Sequence, residues 1–355
     1  MRAWIGLAAT AALLAACGQN AGGGSAGGAG APRQQVWAAG SSTVFPFATR
    51  VAEQVARVGG GAPAKVESLG TGGGIKLFCG GVGPAFPDIA NASRPMKKSE
   101  FEACQKNGAT DIAEIKIGYD GIVIANALDG AAYDLTEEEI FRALAAELPS
   151  GGAFVKNTAV KWSDVEKSLP ADRILAYGPP PTSGTRDAFV ELAMEGGAKK
   201  IPELAKLKES DADGFKARAH AIRGDGAWVD AGENDNAIVQ TLTKTPGSLG
   251  VFGFSFLENN ADKVKGASIN GVKPTPATIS DGSYPLSRSL YIYVKKANIG
   301  VTPGLKEFVQ EFVSDAANGQ EGYLRERGLI PLPADVHAAM KKAAQELPSM
   351  TAPAS

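Results

Sequence analysis

Histidine is nearly missing from this chain of 355 residues: only His220 and His337 occur, far apart in sequence. That excludes a histidine-rich metal site and leaves Ser–His catalysis few candidates. Net charge is equally scarce. Lys and Arg total 36 against 38 Asp and Glu, a formal net of -2, so there is no electrostatic footprint for nucleic acid or for a polybasic membrane surface. An anionic ligand would have to be held by local groups. Cysteines number three. The apolar run at the N-terminus is shorter than the ~20 residues a membrane-spanning helix needs.

What is present begins with an address label. Met1 to Cys17 reads MRAWIGLAATAALLAAC, one Arg before a short apolar run that ends in small residues, the pattern of a secretory signal. Leu14-Ala15-Ala16-Cys17 resembles the bacterial lipobox, in which the Cys is acylated and becomes the mature N-terminus. Residues 18–35 are rich in Gly and Ala, with almost no large apolar side chain, and read as a flexible tether. The expectation is a monomeric body in the periplasm, lipid-anchored through Cys17 to a membrane of the cell envelope. If Cys17 is lipidated, Cys79 and Cys104 remain, and an even remainder in an oxidising compartment points to one disulfide. Two free buried thiols are the alternative.

From Val36 the chain alternates strand-like and helix-like segments, which argues for an α/β architecture. Val36–Ala39 and Lys65–Leu69 read as strands. Phe47, Val51, Val55 and Val58 recur at near-helical spacing. Ile112 to Ala125 holds two strands' worth of apolar residues around Gly118-Tyr119-Asp120-Gly121. Thr136 to Ala146 reads as a helix with Thr136 as its cap and Glu139 completing a capping box. Further helices are expected over 303–314 and 319–326, and Phe252, Phe254 and Phe256 have the period of a buried strand face.

Four junctions between strands and helices are built from Gly, Ser and Thr: GSST at 40–43, GTGGG at 70–74, ASR at 92–94 and TSGTR at 182–186. Each offers backbone N–H groups at a helix start, where the helix dipole favours negative charge, and hydroxyl donors beside them. Taken singly, such residues are ordinary caps and turns. Converging on one cleft, with Arg94 and Arg186 adding guanidinium forks, they suit a small tetrahedral oxyanion.

These segments resemble the phosphate-binding protein family (PstS) of bacterial phosphate ABC importers. GSSTVFPF at 40–47, GTGGGIKLFC at 70–79, DIANASRP at 88–95, GYDGIVIAN at 118–126, YGPPPTSGTRDAF at 177–189, GENDNAIVQ at 232–240, LGVFGFSF at 249–256 and DGSYPLSRSLYIYV at 281–294 occur in that family's order. The resemblance implies a two-lobed periplasmic-binding-protein fold of type II (Venus-flytrap), with the ligand cleft between the lobes. Lobe I would comprise 36–118 plus 290–345, and lobe II 119–289. It implies inorganic phosphate as ligand, a membrane permease as partner, no cofactor and no catalysis.

Matched motif by motif, the resemblance carries phosphate contacts to Ser42 and Thr43, Thr71, Ser93 and Arg94, and on the facing lobe to Ser183, Gly184 and Thr185, with Arg186 adding charge. Two positions depart from the pattern: Arg94 stands where some members have Asp, and Pro179 where some have Arg. Phosphate near neutral pH retains a proton, and a buried carboxylate that accepts it would exclude sulfate. Asp120 is the candidate acceptor, with Glu233 and Asp235 behind it. Asp187 reads as a first-turn helix carboxylate, Ser287 and Arg288 as hinge residues, and Trp37, Trp162 and Trp228 as packing. A binding protein for sulfate, molybdate or arsenate is one alternative, and an adhesive or structural surface lipoprotein is another. A third is a secreted serine hydrolase using Ser183 or Ser42, but neither His accompanies a Ser-rich loop and no strand runs into a Gly-x-Ser-x-Gly turn.

Overall fold

The computed structural model describes residues 34–353 apart from Glu233. The signal segment, Cys17 and nearly all of the tether lie outside the described residues, as does Glu233. Nine strands form one large sheet: β1 (Trp37–Gly40), β2 (Lys65–Ser68), β3 (Ile89–Ala92), β4 (Ile112–Ala127), β5 (Ala176–Gly178), β6 (Trp228–Asp230), β7 (Leu249–Gly253), β8 (Val264–Gly266) and β9 (Ser287–Lys295). Their spatial order is β2-β1-β3-β9-β4-β7-β5-β6, and β8 pairs β4 beside this path. β1 lies parallel to β2 and β3, while β9 runs antiparallel to both β3 and β4. On the far side, β7 is antiparallel to β4 and parallel to β5, which is parallel to β6.

β4 joins two lobes. Its first part, from Ile112 to Gly121, pairs with β9, and its second, from Ile122 to Ala127, pairs with β7 and β8. The two apolar segments expected around GYDG are thus one strand of 16 residues. Glycine permits this. Gly118 has a φ of 149°, and a side chain there would run into Leu329 and the carbonyl of Ile330. A Cβ on Gly121 would meet Ile279 at 2.7 Å. The chain therefore crosses between lobes through extended backbone, with Tyr119 also bridged to Ile330.

Each lobe has its own core. Residues between Tyr119 and Leu286, joined by Ile330 and Leu332, make one apolar cluster. The other lobe has a cluster on each face of its half-sheet. Ile89 and Ile292 contribute to one, and their strand neighbours Ala90 and Tyr293 to the other, following the alternation of side chains along a strand. Helix Phe45–Gly59 buries Phe47, Ala48, Val51 and Ala52 on the first of these faces. Cys79 and Cys104 are disulfide-bonded, stapling the end of helix Gly70–Phe78 to helix Lys98–Lys106.

The capping box forms as expected on helix Glu137–Leu144: Glu139 N–H donates to Thr136 Oγ1 at 3.1 Å and Thr136 N–H to Glu139 Oε2 at 2.7 Å. The phenylalanine row does not continue as a strand. β7 stops at Gly253 and a helix, Phe254–Asn259, starts there, so Phe254 is buried and Phe256 only half-buried. Residues 319–326 yield only a 3-10 turn at Tyr323–Arg327, while Ala334–Glu346 forms a helix that no strong apolar stripe announced.

Candidate functional site

Parallel strands deliver their C-terminal ends to one place, and the Gly/Ser/Thr junctions follow directly. β1 ends at Gly40, whose φ of 143° turns the chain against β3. A Cβ there would fall 2.1 Å from the Asn91 carbonyl oxygen, and Ser41 N–H donates to that same oxygen at 2.9 Å. Ser42 and Thr43 project from this turn before helix Phe45–Gly59 begins. Beside it, GTGGG is the first turn of helix Gly70–Phe78 rather than a loop before it. Gly74 packs directly on Gly40, where a Cβ would lie 2.2 Å from the Gly40 Cα. That contact sets the helix start against the first junction.

The third junction locks onto the second. Ser93 N–H donates to Thr71 Oγ1 at 3.0 Å, and the two hydroxyls are 2.9 Å apart. Both residues are buried. Arg94 points toward Gly72 but is already engaged: Glu100 takes a two-pronged bond from its guanidinium at 2.9 and 2.7 Å. This pair raises the Arg94 pKa and, with burial opposing, lowers that of Glu100.

The fourth junction comes from the other lobe. Ser183 caps helix Gly184–Phe189, its Oγ accepting Thr185 N–H at 3.2 Å. The helix continues through a π-helical turn, Val190–Met194, a form often found at functional sites. Gly184 presses against the first junction: a Cβ there would lie 2.7 Å from the Ser42 carbonyl oxygen. Thr43 Oγ1 donates to the Gly184 carbonyl at 3.4 Å, and Ser42 Oγ donates to Asp187 Oδ2 at 2.5 Å. Arg186 turns aside, its guanidinium 4.4 Å from the Trp228 ring centre and bonded to Pro179 O at 3.1 Å and Asp230 at 3.2 Å.

The crossing strands supply the floor. Asp120 on β4 sits opposite Arg288 on β9, and Arg288 Nε approaches Asp120 Oδ2 at 3.4 Å. The other arms of the guanidinium reach Glu191 Oε2, at 2.6 Å, and the Thr43 hydroxyl. Arg288 thereby touches the first junction, the crossing and the facing helix at once. Burial pushes the Asp120 carboxyl up, with Arg288 opposing it. Asp235, at the start of helix Asp235–Leu242, accepts Gly253 N–H at 3.2 Å. Burial and the nearby Asp120 charge lift its pKa to about 6.

The structure thus brings Ser42, Thr43 and Gly184 into contact across the lobes, holds Thr71 and Ser93 together beside them, and puts Asp120 at the crossing beneath. Arg94 and Arg186 lie at the margins, each with a carboxylate partner. Sequence reasoning gave Arg288 only a hinge role and Asp187 only a helix-dipole role, yet both bond to the first junction. The signal for Arg288 was its place in the SRS step opposite Asp120, which becomes visible only once the strand register is known. No cluster able to hold a metal occurs among the described residues.

Known proteins match this chain along most of its length. Residues 26–316 match the family model described as PBP superfamily domain. The chain is 33% identical over 322 residues to Protein SphX of Synechococcus elongatus, covering 88% of this chain and 81% of that protein. It is 32% identical over 327 residues to Phosphate-binding protein PstS of Staphylococcus saprophyticus, covering 90% and 86%. A possible phosphate binding protein from Planctomyces limnophilus superposes with a TM-score of 0.70 at 28% identity, covering 89% of this chain and 99% of that one.

Proposed function

This chain belongs to the phosphate-binding protein family of the PBP superfamily, and from that premise we propose that it binds inorganic phosphate between its lobes and delivers it to the membrane permease of an ABC importer. The observation that carries this reading is the meeting of the first and fourth junctions, with Thr43 and Gly184 bonded across the lobes at 3.4 Å and Arg288 beneath them. Lobe I, residues 36–118 with 290–345, contributes Ser42, Thr43, Thr71, Ser93 and Arg94. Lobe II, residues 119–289, contributes Ser183, Gly184, Thr185 and Arg186. Arg288 joins this set from the crossing.

Every guanidinium near the cleft already faces a carboxylate: Arg94 has Glu100, Arg186 has Asp230, and Arg288 has Asp120 and Glu191. Affinity must therefore come from many directed hydrogen bonds rather than from excess positive charge. Such bonds discriminate between ligands by leaving unmatched groups unpaired. Asp120, whose proton affinity is raised by burial, is a strong acceptor for a P–OH. Phosphate stabilises the closed arrangement because both lobes donate to it, and the permease reads that closed form. Lipid anchorage through Cys17 keeps the body near the permease. No bond is made or broken.

Calorimetric titration of the mature protein with phosphate and with sulfate tests this. Phosphate binds and sulfate does not. Equal affinity for the two removes the proton-accepting carboxylate, and no heat with either removes the reading altogether.

A further inference from the structure

Among the cleft hydroxyls, that of Ser42 gives its proton to a carboxylate. Ser42 stands in the first junction, where the resemblance would make it a donor to the ligand. Its Oγ instead donates to Asp187 Oδ2 at 2.5 Å, across the lobe boundary and from a half-buried position. A serine hydroxyl has a single proton and two lone pairs. With the proton given to a carboxylate, Ser42 presents only lone pairs to anything else that approaches. It is then an acceptor, and its polarisation by Asp187 strengthens it in that role.

We propose that the Ser42–Asp187 pair is a second reader of ligand protons, alongside Asp120, so that the cleft selects dihydrogen phosphate over the hydrogen phosphate dianion. This rests on the phosphate reading given above and deepens it. Two acceptors require two P–OH groups, and only the monoanion H2PO4− carries two. The dianion would satisfy one acceptor and set an unprotonated oxygen against the lone pairs of the other, at the cost of an unpaired buried group. The carboxylate of Asp187 adds repulsion of the same sign, because a dianion suffers from it more than a monoanion does.

The other charged groups facing this pair are known. From the facing helix come Arg186, which feels the Asp187 charge, and Glu191. From the crossing, Arg288 bonds to Thr43 beside Ser42 and also to Asp120 and Glu191; farther out, Arg94 feels the Glu191 charge and Asp235 that of Asp120. The guanidiniums keep their charge throughout the accessible pH range. The carboxylates Asp120, Asp235 and Glu191 are common to the wild type and to a variant at position 187, so the comparison between the two isolates the pair.

The test is calorimetric titration of the mature protein with inorganic phosphate from pH 6 to pH 9. In the wild type the dissociation constant should stay level below phosphate's own second pKa and rise about tenfold per pH unit above it, since only the scarcer monoanion binds. In Asp187→Ala the hydroxyl of Ser42 is released to donate, the dianion becomes acceptable, and that rise should disappear. A wild-type affinity that is flat or tightens with rising pH overturns the proposal, as does an Asp187→Ala variant that keeps the wild-type slope. If Asp187→Ala fails to melt cooperatively by circular dichroism, the wild-type slope decides alone: a tenfold rise per pH unit supports selection of the monoanion, and a level affinity overturns it. Absence of phosphate binding by the wild type at every pH would instead mean that the phosphate reading itself has failed.

Discussion

Asp235 makes the fold pay a penalty that a single atom exchange should remove. Its carboxyl is buried, accepts only the Gly253 N–H at 3.2 Å among the described contacts, and faces the Asp120 charge. These surroundings raise its pKa from 3.8 to about 6, while the unfolded chain keeps the ordinary value. The folded state thus favours the protonated acid. Its contribution to stability is full below the unfolded pKa near 4 and is lost as pH rises through about 6. The difference of about 2 units corresponds to about 3 kcal/mol at pH 8, at 1.36 kcal/mol per unit. Asp235→Asn keeps the shape, and its amide oxygen can still accept from Gly253, but it never ionises. The variant should therefore be more stable than the wild type by about 3 kcal/mol at pH 8 and by less than ~1 kcal/mol at pH 4. Urea unfolding at both pH values, in phosphate-free buffer so that ligand does not add its own linkage, measures this. A stability difference that is the same at pH 4 and pH 8, or a variant weaker at pH 8, would refute the reasoning.

Other outcomes follow from neighbouring features. Arg288→Ala should weaken phosphate binding more than tenfold and also destabilise the fold by roughly 3–5 kcal/mol, since it strands the Asp120 carboxylate in the interior; a denaturation curve run beside the titration separates the two effects. Gly184→Ala inserts a methyl group 2.7 Å from the Ser42 carbonyl oxygen. It should cost the closed form about 1–3 kcal/mol, seen as a roughly five- to 150-fold loss of phosphate affinity with little change in urea midpoint. Replacing Cys79 and Cys104 by Ser reopens a loop with a sequence separation of 25, and unfolding should occur roughly 3.5 kcal/mol more easily on the chain-entropy estimate. Glu100→Gln removes the charge that pins Arg94, and its phosphate affinity should become more sensitive to added salt than that of the wild type.

Much of the architecture was legible because local signals and tertiary structure agree. Thr136 and Glu139 announce a helix start by chemistry that operates within four residues. The Gly/Ser/Thr junctions announce themselves because ending a strand at Gly40 or starting a helix after Ser183 demands those residue types. The failures occur where the deciding contact is distant in sequence. Two apolar runs separated by glycines look like two strands until Leu329 and Ile330 are known to press on Gly118. Arg288 does sit at the crossing, as a hinge residue would, but its partner Asp120, 168 residues away, emerges only from the pairing of β9 with β4. Asp187 is a plausible helix-dipole carboxylate from its neighbours alone, and its bond to Ser42, 145 residues distant, is invisible to any local pattern. Phe254 and Phe256 continue an alternation whose strand has already ended, because a residue period says nothing about where hydrogen-bond partners run out.

One strand being common to both lobes limits what a swinging movement can be. A peptide linker lets its domains wander; a paired ribbon such as β4 with β9 can only flex and twist, and its ladder of hydrogen bonds resists shear along its length. Any travel between empty and filled forms would then be an elastic property of a few residues around Gly118 and Gly121. Substitutions at those positions would reset how far the jaws part, and so how readily cargo leaves, without altering any group that touches it.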